Sequence, residues 1–504
     1  MNKMVDFIDR HAEAVVRCVL AILLLWGLAM VVFAIKPFWH DEWRLIYNLK
    51  FKTARELWGD LEFTQQFPRV YLQLTKIVSS FFNYSYFSLR FPAYFLAVLN
   101  VWFCFRLMKR MYKSFFLERY LFVLMTVSNF TFIEYLVQTK HYQMEILMSL
   151  TALWQMLEMI SLFENGLRNK ARYVLLCTVF LAAPFFSYTY PIAVAPVFIV
   201  VLLQLFLWKK YRHKMLSARQ QLFPLFLSAI AIFVFYLIDV RQLMNDEEMH
   251  TFWKFRMANE GEKGWVIGKN LWGWFAKMGS GFVFELLFGV TGIAAVVYAL
   301  SRHLLYLKKN ADINGSAQLR LYSIGLTLVV LVLFFAGKLP LSEPKFNAFT
   351  IPAISILVIY FLSEMRKRKG LSIVKFYTIV LFCALSGNVI TSVIHSFTLP
   401  EYKKRMAIYH ATQEAISLAQ KENIPILIGP GVAYPDDIHS HMPGMQLITA
   451  DCVLKTFPAY SASRQLLVVP IRHIDSFAKE WQQLPRSYHR VMIGDGLVYK
   501  IYER

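Results

Sequence analysis

The sequence predicts a polytopic α-helical membrane protein of about eleven spans, followed by a small C-terminal soluble α/β domain. Three observations predict it. Of 504 residues, 57% are hydrophobic and only 17% are charged, whereas a soluble domain is about one quarter charged. Phe (44), Tyr (26) and Trp (12) are abundant, which suits aromatic belts at membrane interfaces. Apolar stretches of about 20 residues, long enough to cross a bilayer, recur as far as residue 395.

The elements follow in order. Asp6, Asp9 and Arg10 precede the first apolar run, 14–35. No small-residue cleavage site follows it, so it reads as a retained anchor. Further spans are expected at 89–108, 118–136, 143–163, 172–188, 190–208, 221–239, 279–300, 320–337, 346–363 and 371–395. Only "SYTYP" separates the spans at 172–188 and 190–208, and its Pro191 supports a tight break.

Charge orients the stack. With the N-terminus inside, the cytoplasmic segments are 1–13, 106–119, 164–172, 208–220, 301–320 and 364–372. They hold 23 Lys/Arg against 7 Asp/Glu, while the opposite loop 240–277 holds 6 against 5. Basic short loops belong on the cytoplasmic side. This accounts for the formal net charge of +21 and removes nucleic acid as the partner it would suggest in a soluble chain. The expected location is a multi-pass bacterial inner or plasma membrane, with the C-terminal part extracytoplasmic.

Three long polar features then share the outer face: 36–88, 240–277 and the tail from 396. The organisation is a membrane domain, 1–395, and an outer domain, 396–504. Within the first loop, "VYLQLTKIVSSFF" is spaced for a helix lying in the interface, too short to span. In the tail, "YKKRMAIYHATQEAISLAQKEN" has a helical period. "IPILIGP" and "QLLVVPI" read as buried strands, and "RVMIGDGLVYKIYER" as a hairpin with a Gly-Asp-Gly turn.

Cys18, Cys104, Cys177 and Cys383 lie in apolar runs and Cys452 in the tail, with no CxxC, so no disulfide framework or thiolate site is indicated. The loop "NDEEMHTFWKF" and the tail stretch "YPDDIHSHM" read as solvated. The first candidate for chemistry is Asp41-Glu42, directly after span one and set among Phe38, Trp39, Trp43 and Tyr47. An ordinary loop acid pair caps a helix start. A carboxylate against apolar surface is desolvated, which favours proton acceptance. Adjacent His40 raises the alternative of a divalent ion, though three consecutive residues rarely aim at one centre. No metal ligand is assigned, and no cofactor beyond that ion is called for. Arg69, Lys140, Lys338 and Lys345 are basic residues on the outer side. Each reads either as an anchor snorkelling to headgroups or as part of a phosphate clamp, where Arg supplies a fork and Lys a point charge.

"PFWHDEW" after span one resembles the Asp-Glu motif in the first outer loop of GT-C glycosyltransferases, in the branch of protein O-mannosyltransferases and lipid A aminoarabinose transferases. "FPRVYLQLTKIVSSFFNYSYFSLRFPAYFLAVLNV" resembles that family's basic residue before an interfacial helix, then an Arg-x-Pro entering span two. "QTKHYQMEILMSLTALW" resembles its basic residue and Tyr before span four, and "SEPKFNAFTIPAISIL" its pattern leading into a late span. The resemblance covers 14–365 in order.

It implies an inverting glycosyltransferase with a polyprenyl-phosphate sugar as donor and a hydroxyl on lipid, glycan or protein as acceptor, among membrane lipids. It implies Asp41 as the base and Glu42 as the group orienting base or acceptor. Arg69, Lys345, Lys338 and Lys140 would hold the donor phosphate, and Trp39, Trp43 and Tyr142 would line the substrate. Here Arg69 stands between Pro68 and Val70 where the family has a Pro-Pro, and Lys345 replaces its usual Arg. The rival readings are a transporter or flippase for polyprenyl-linked sugars, a polysaccharide ligase or polymerase, and a membrane-anchored assembly subunit. A transporter calls for internal repeats and mid-membrane ionisable residues; no repeat is visible, and Asp239 and Glu285 lie near span ends.

Overall fold

The computed structural model describes residues 2–33, 38, 40–61, 65–112, 117–165, 169–207, 218–241, 264–276, 279, 281–307, 315–341, 343–368, 371–398 and 421, and the strands named below. Sixteen α-helices are described: α1 Asn2–Val32, α2 His40–Phe51, α3 Arg69–Phe81, α4 Tyr86–Met111, α5 Glu118–Val127, α6 Phe130–Tyr135, α7 Tyr142–Asn165, α8 Lys170–Ala182, α9 Tyr190–Leu207, α10 Ala218–Phe235, α11 Gly264–Ala276, α12 Phe282–Leu307, α13 Gly315–Phe335, α14 Pro344–Asn347, α15 Ile351–Arg368 and α16 Leu371–Thr398. A π-helical turn, Tyr236–Val240, continues α10.

Eight helices among the described residues are long and apolar enough to cross a membrane: His11–Val32, Tyr86–Met111, Tyr142–Leu162, Leu222–Val240, Phe282–Arg302, Ala317–Phe335, Lys345–Arg366 and Ile373–Ile394. The chain is a polytopic helical protein. Of the other three expected spans, two form shorter helices for local reasons. The stretch 118–136 divides at Ser128-Asn129 into α5 and α6. The Ser128 hydroxyl turns back onto the Leu124 carbonyl. The Asn129 side chain accepts from Phe132 N–H at 2.8 Å and donates to the Thr126 carbonyl at 2.8 Å. Such bonds compete with the helix ladder. Asn388 of α16 donates to the freed Ser128 carbonyl at 2.8 Å, so the break stays satisfied. The stretch 172–188 ends as α8 gives way to a 3₁₀ turn, Ala183–Phe186, holding Pro184, which has no N–H for the ladder. The stretch 190–208 forms α9, Tyr190–Leu207, as expected, with an apolar part Tyr190–Gln204 among the described residues.

The centre of the bundle is α7, against which α4, α9 and α13 pack; α15 lies between α5, α12 and α13. Buried Asn100 of α4 donates to the Gln143 carbonyl at 2.9 Å, and Gln143 donates to the Phe132 carbonyl at 2.7 Å. Helix α3 presents Leu74, Ile77 and Phe81 outward and buries Arg69, Tyr71, Leu72, Thr75 and Ser79. At 13 residues it is too short to span. The turn to α4 places Asn83 and Tyr84 in the left-handed region. Lys76 holds α3 to its surroundings by donating to the Leu49 carbonyl at 2.6 Å and the Tyr84 hydroxyl at 3.1 Å.

In the tail, strands β1 Ile426–Ile428, β2 Gln446–Leu447, β3 Arg464–Pro470, β4 Tyr488–Met492 and β5 Leu497–Glu503 form one sheet, ordered β2-β1-β3-β5-β4. β1 is parallel to β2 and β3, and β5 is antiparallel to β3 and β4. Strands β1, β3 and the β4–β5 pair lie where the apolar runs were expected; the Gly-Asp-Gly turn and most of the expected helix fall outside the described residues.

Candidate active site

Helix α2 begins at His40 and carries Asp41 and Glu42 in its first turn. The Glu42 side chain is 1% exposed. One of its oxygens faces Arg90 Nη2 at 3.1 Å, and the other accepts from Thr139 N–H at 2.8 Å. Arg90, fully buried in α4, lies over the rings of Phe38 at 4.7 Å and Tyr86 at 4.3 Å, and donates to the Tyr86 hydroxyl. One carboxylate therefore ties α2 to α4 and to the segment entering α7. A buried ion pair holds only with such added partners. Trp39 and the side chains of His40, Asp41 and Trp43 lie outside the described residues. Among the described residues, no group of three or more His, Cys, Asp and Glu could hold a metal ion.

The segment that Glu42 grips runs into Lys140, His141 and Tyr142. Lys140 is buried; its ammonium lies 3.3 Å from Gln65 Oε1 and 5.0 Å from the centre of the Phe67 ring. Its carbonyl accepts from the Tyr71 hydroxyl at 3.0 Å. The His141 ring packs edge-on against Phe67 at 4.8 Å and beside Tyr142 at 4.7 Å. Tyr142 in turn meets Tyr135 at 4.4 Å and Phe346 at 6.3 Å. The Lys345 ammonium stands 5.2 Å from the Phe346 ring. Two of the four expected cations thus connect to one imidazole: Lys140 precedes it in the chain, and Lys345 of α14 reaches it through the rings of Phe346 and Tyr142. Burial pushes the His141 pKa down to about 3, and Lys140 and Lys345 push it the same way, so the ring is neutral near pH 7.

His141 Nε2 faces Glu145 Oε1 at 3.6 Å, one turn into α7. Glu145 also accepts from the hydroxyls of Ser187 and Thr189, from Thr189 N–H at 3.1 Å and from Tyr188 N–H at 3.3 Å. The "SYT" break before α9 is thereby folded around one carboxylate. Pro191 follows in the first turn of α9, where a missing N–H costs little.

Arg69 occupies a different environment from the one its sequence slot suggested. It is 2% exposed. Its backbone N–H donates to Asp239 Oδ2 at 3.2 Å, and its Nε faces Oδ1 at 3.5 Å. Tyr188 Oη lies 2.8 Å from the same Oδ1 and 2.9 Å from the Phe67 carbonyl. Asp239, which the sequence placed near a span end, sits in the π-helical turn and is matched by this guanidinium. Lys338 is exposed at the end of α13, where Gly337 takes φ 66° and the Lys338 N–H returns to the Leu333 carbonyl at 2.8 Å. The loop 245–255 and the tail stretch 434–442 lie outside the described residues.

No protein-family model matches the sequence, and no curated protein matches it. Solved structures do. The fold is similar to that of ArnT from Cupriavidus metallidurans in the apo state, with a TM-score of 0.51, 12% identity, and coverage of 97% of this chain and 98% of that one. It is similar also to ArnT from the same organism bound to undecaprenyl phosphate, with a TM-score of 0.53, 11% identity, and coverage of 96% and 97%. The chain has the fold of these ArnT structures.

In that fold, sequence reasoning had singled out Asp41, Glu42, Lys140, Tyr142 and Lys345, and the backbone of α2 and the side chains of the other four lie on the segments joined by Glu42, Tyr142 and Phe346. It missed Arg90, Glu145, His141 and Tyr188 as functional groups. Arg90 was visible as the first residue of the Arg-x-Pro pattern. His141 and Glu145, four residues apart at the mouth of an apolar helix, share one helical face.

Proposed function

We propose that the chain is an integral membrane glycosyltransferase that moves a sugar from a polyprenyl-phosphate donor to an acceptor hydroxyl on the outer face, with inversion. The observation that carries this reading is the Glu42 lock. By joining Arg90 and Thr139 N–H, it sets the acid-bearing start of α2 beside the Lys140–His141 segment, so a carboxylate and phosphate-binding cations share one membrane rim. The GT-C fold supports it, and undecaprenyl phosphate is the ligand in one ArnT structure of that fold.

In this mechanism the acceptor oxygen attacks the anomeric carbon while the Asp41 carboxylate takes its proton. The carbon–oxygen bond to phosphate breaks, and the electron pair stays on the phosphate oxygen. A single displacement inverts the centre. Negative charge grows on the phosphate as the bond breaks, so the Lys140 and Lys345 ammoniums stabilise the transition state more than the ground state. Glu42 and Arg69 act as braces rather than ligands. The N-terminus lies in the cytoplasm. Residues 1–395 form the catalytic membrane domain, with eleven crossings completed by the three shorter apolar segments. Residues 396–504 form the outer domain, on the acceptor side.

The test is binding of undecaprenyl phosphate and of its sugar-linked forms to the full chain in nanodiscs, together with mass spectrometry of envelope glycans with and without the protein. Saturable binding, with loss of one glycan in its absence, is the expected result. No binding of undecaprenyl phosphate removes this reading.

A further inference from the structure

His141 has one ring nitrogen directed at a partner and one without. Nε2 faces the Glu145 carboxylate at 3.6 Å; the negative charge there favours the neutral tautomer with its proton on Nε2, which leaves Nδ1 as an acceptor. Nδ1 is buried, and among the described residues it has no hydrogen-bond partner. The residue as a whole is 9% exposed. Water can fill such a position in the free protein, and a ligand that displaces it keeps the acceptor satisfied only by bringing a donor of its own.

The surroundings select what could fill the position. The ionisable groups facing the ring are Lys140 on its own segment, Lys345 from α14, Glu145 on α7, and the phenols of Tyr142, Tyr71 and Tyr188, the last two with ring centres 6.3 and 6.4 Å away. A phosphate oxygen has no proton to give to an acceptor. An ammonium or metal ion would meet two positive charges. A neutral hydroxyl remains. A ligand that brings a hydroxyl within a few ångströms of an anion satisfies the imidazole and both lysines together, and a sugar joined to phosphate is such a ligand.

We propose that His141 Nδ1 accepts a hydrogen bond from a hydroxyl of the donor sugar, so that Lys140 and Lys345 bind the phosphate and His141 recognises the sugar attached to it. This deepens the proposed function and rests on it. Glu145 is a positioning residue: held by Ser187, Tyr188 and Thr189, it places a negative charge at the Nε2 side of the ring. The low proton affinity of the imidazole suits the role, because a protonated Nδ1 would no longer accept. A site built to pair with a hydroxyl also discriminates against ligands that lack one, because their binding leaves the buried acceptor unpaired.

The experiment is equilibrium binding to the full chain in nanodiscs with three probes: undecaprenyl phosphate, undecaprenyl-phosphate glucose and undecaprenyl-phosphate mannose. In the parent, at least one sugar-linked probe binds more tightly than undecaprenyl phosphate. His141→Phe keeps a ring in the aromatic nest and removes both nitrogens. It lowers affinity for that probe by about 5–10-fold, the worth of one hydrogen bond, and leaves undecaprenyl phosphate within about two-fold. His141→Asn, whose amide oxygen reaches near the Nδ1 position but not toward Glu145, recovers most of the loss. Lys345→Ala weakens all probes alike. The proposal is overturned if neither sugar adds affinity in the parent, if His141→Phe weakens all three probes equally, or if it weakens none. A parent that fails to bind even undecaprenyl phosphate removes the proposed function itself.

Discussion

Glu42 and Arg90 are joined at 3.1 Å, and neither side chain is more than 1% exposed. The pair connects α2 to α4 across 48 residues of sequence. Removing one partner leaves a buried charge unmatched, which costs about 3–5 kcal/mol. Glu42→Ala and Arg90→Ala should each lower the melting temperature in nanodiscs steeply, and the double variant should lose less than the sum. Additive losses would mean that the two side chains act separately.

Asp41→Asn keeps size and hydrogen bonding and removes the proton acceptor. General-base loss costs about 10²–10⁴ in rate. The variant should insert and melt like the parent, bind undecaprenyl phosphate normally, and transfer almost nothing in single-turnover assays. Glu42→Gln should show the reverse order of effects, with stability affected first. Parent-like turnover in Asp41→Asn would place the base elsewhere.

Arg69 and Lys345 should separate in the same measurement. Arg69 is committed to Asp239, so Arg69→Ala destabilises by about 3–5 kcal/mol. A paired Arg69→Met/Asp239→Leu variant should regain much of that stability. Lys345→Ala should leave melting nearly unchanged and weaken undecaprenyl phosphate by about 1.5–3 kcal/mol, the range for a charge-assisted contact. A stable Arg69→Ala with lost phosphate binding would instead assign the clamp to Arg69.

His141 gives a pH dependence with a definite sign. Its folded pKa is pushed down to about 3, below the ordinary value near 6.5. Between these values the unfolded chain binds the extra proton. The parent therefore loses stability as pH falls below about 6.5, by up to about 1.4 kcal/mol per unit, and keeps it fully above. His141→Phe removes this contribution. Melting temperatures from pH 7.5 to 5 should fall more for the parent than for the variant; parallel curves would show that the ring is not held neutral.

The spans were legible because a run of 20 apolar residues leaves the chain few alternatives to a membrane helix. The breaks at Ser128-Asn129 and Pro184 were not, because window-averaged hydropathy does not register a side chain that bonds its own backbone. In the tail, β1, β3 and the β4–β5 pair were legible from their short apolar runs, whereas the two-residue β2 was not. The aim of Arg69 was hidden because its partner, Asp239, lies 170 residues away, and a charge reads the same in sequence whether it meets a lipid phosphate or a buried carboxylate. His141 was passed over between two residues with more obvious chemistry, Lys140 and Tyr142. Its interest comes from Glu145, one turn further along the chain, and from the charge of Lys345, whose separation of about two hundred residues hides the relationship.

The grip of Ser187, Tyr188 and Thr189 on Glu145 has a bearing on which positions can change together. A carboxylate that depends on two hydroxyls and two amides from three successive residues cannot drift independently of them, nor they of it. Identity to the two ArnT structures is 12% and 11%, so whole-chain identity does not register this grip. The two words "KHYQME" and "SYTYP", about forty residues apart, should be inherited or lost together. Their joint presence would mark sequences that keep this imidazole at the mouth of the fourth expected span, and their absence would mark chains of the same fold that put something else there.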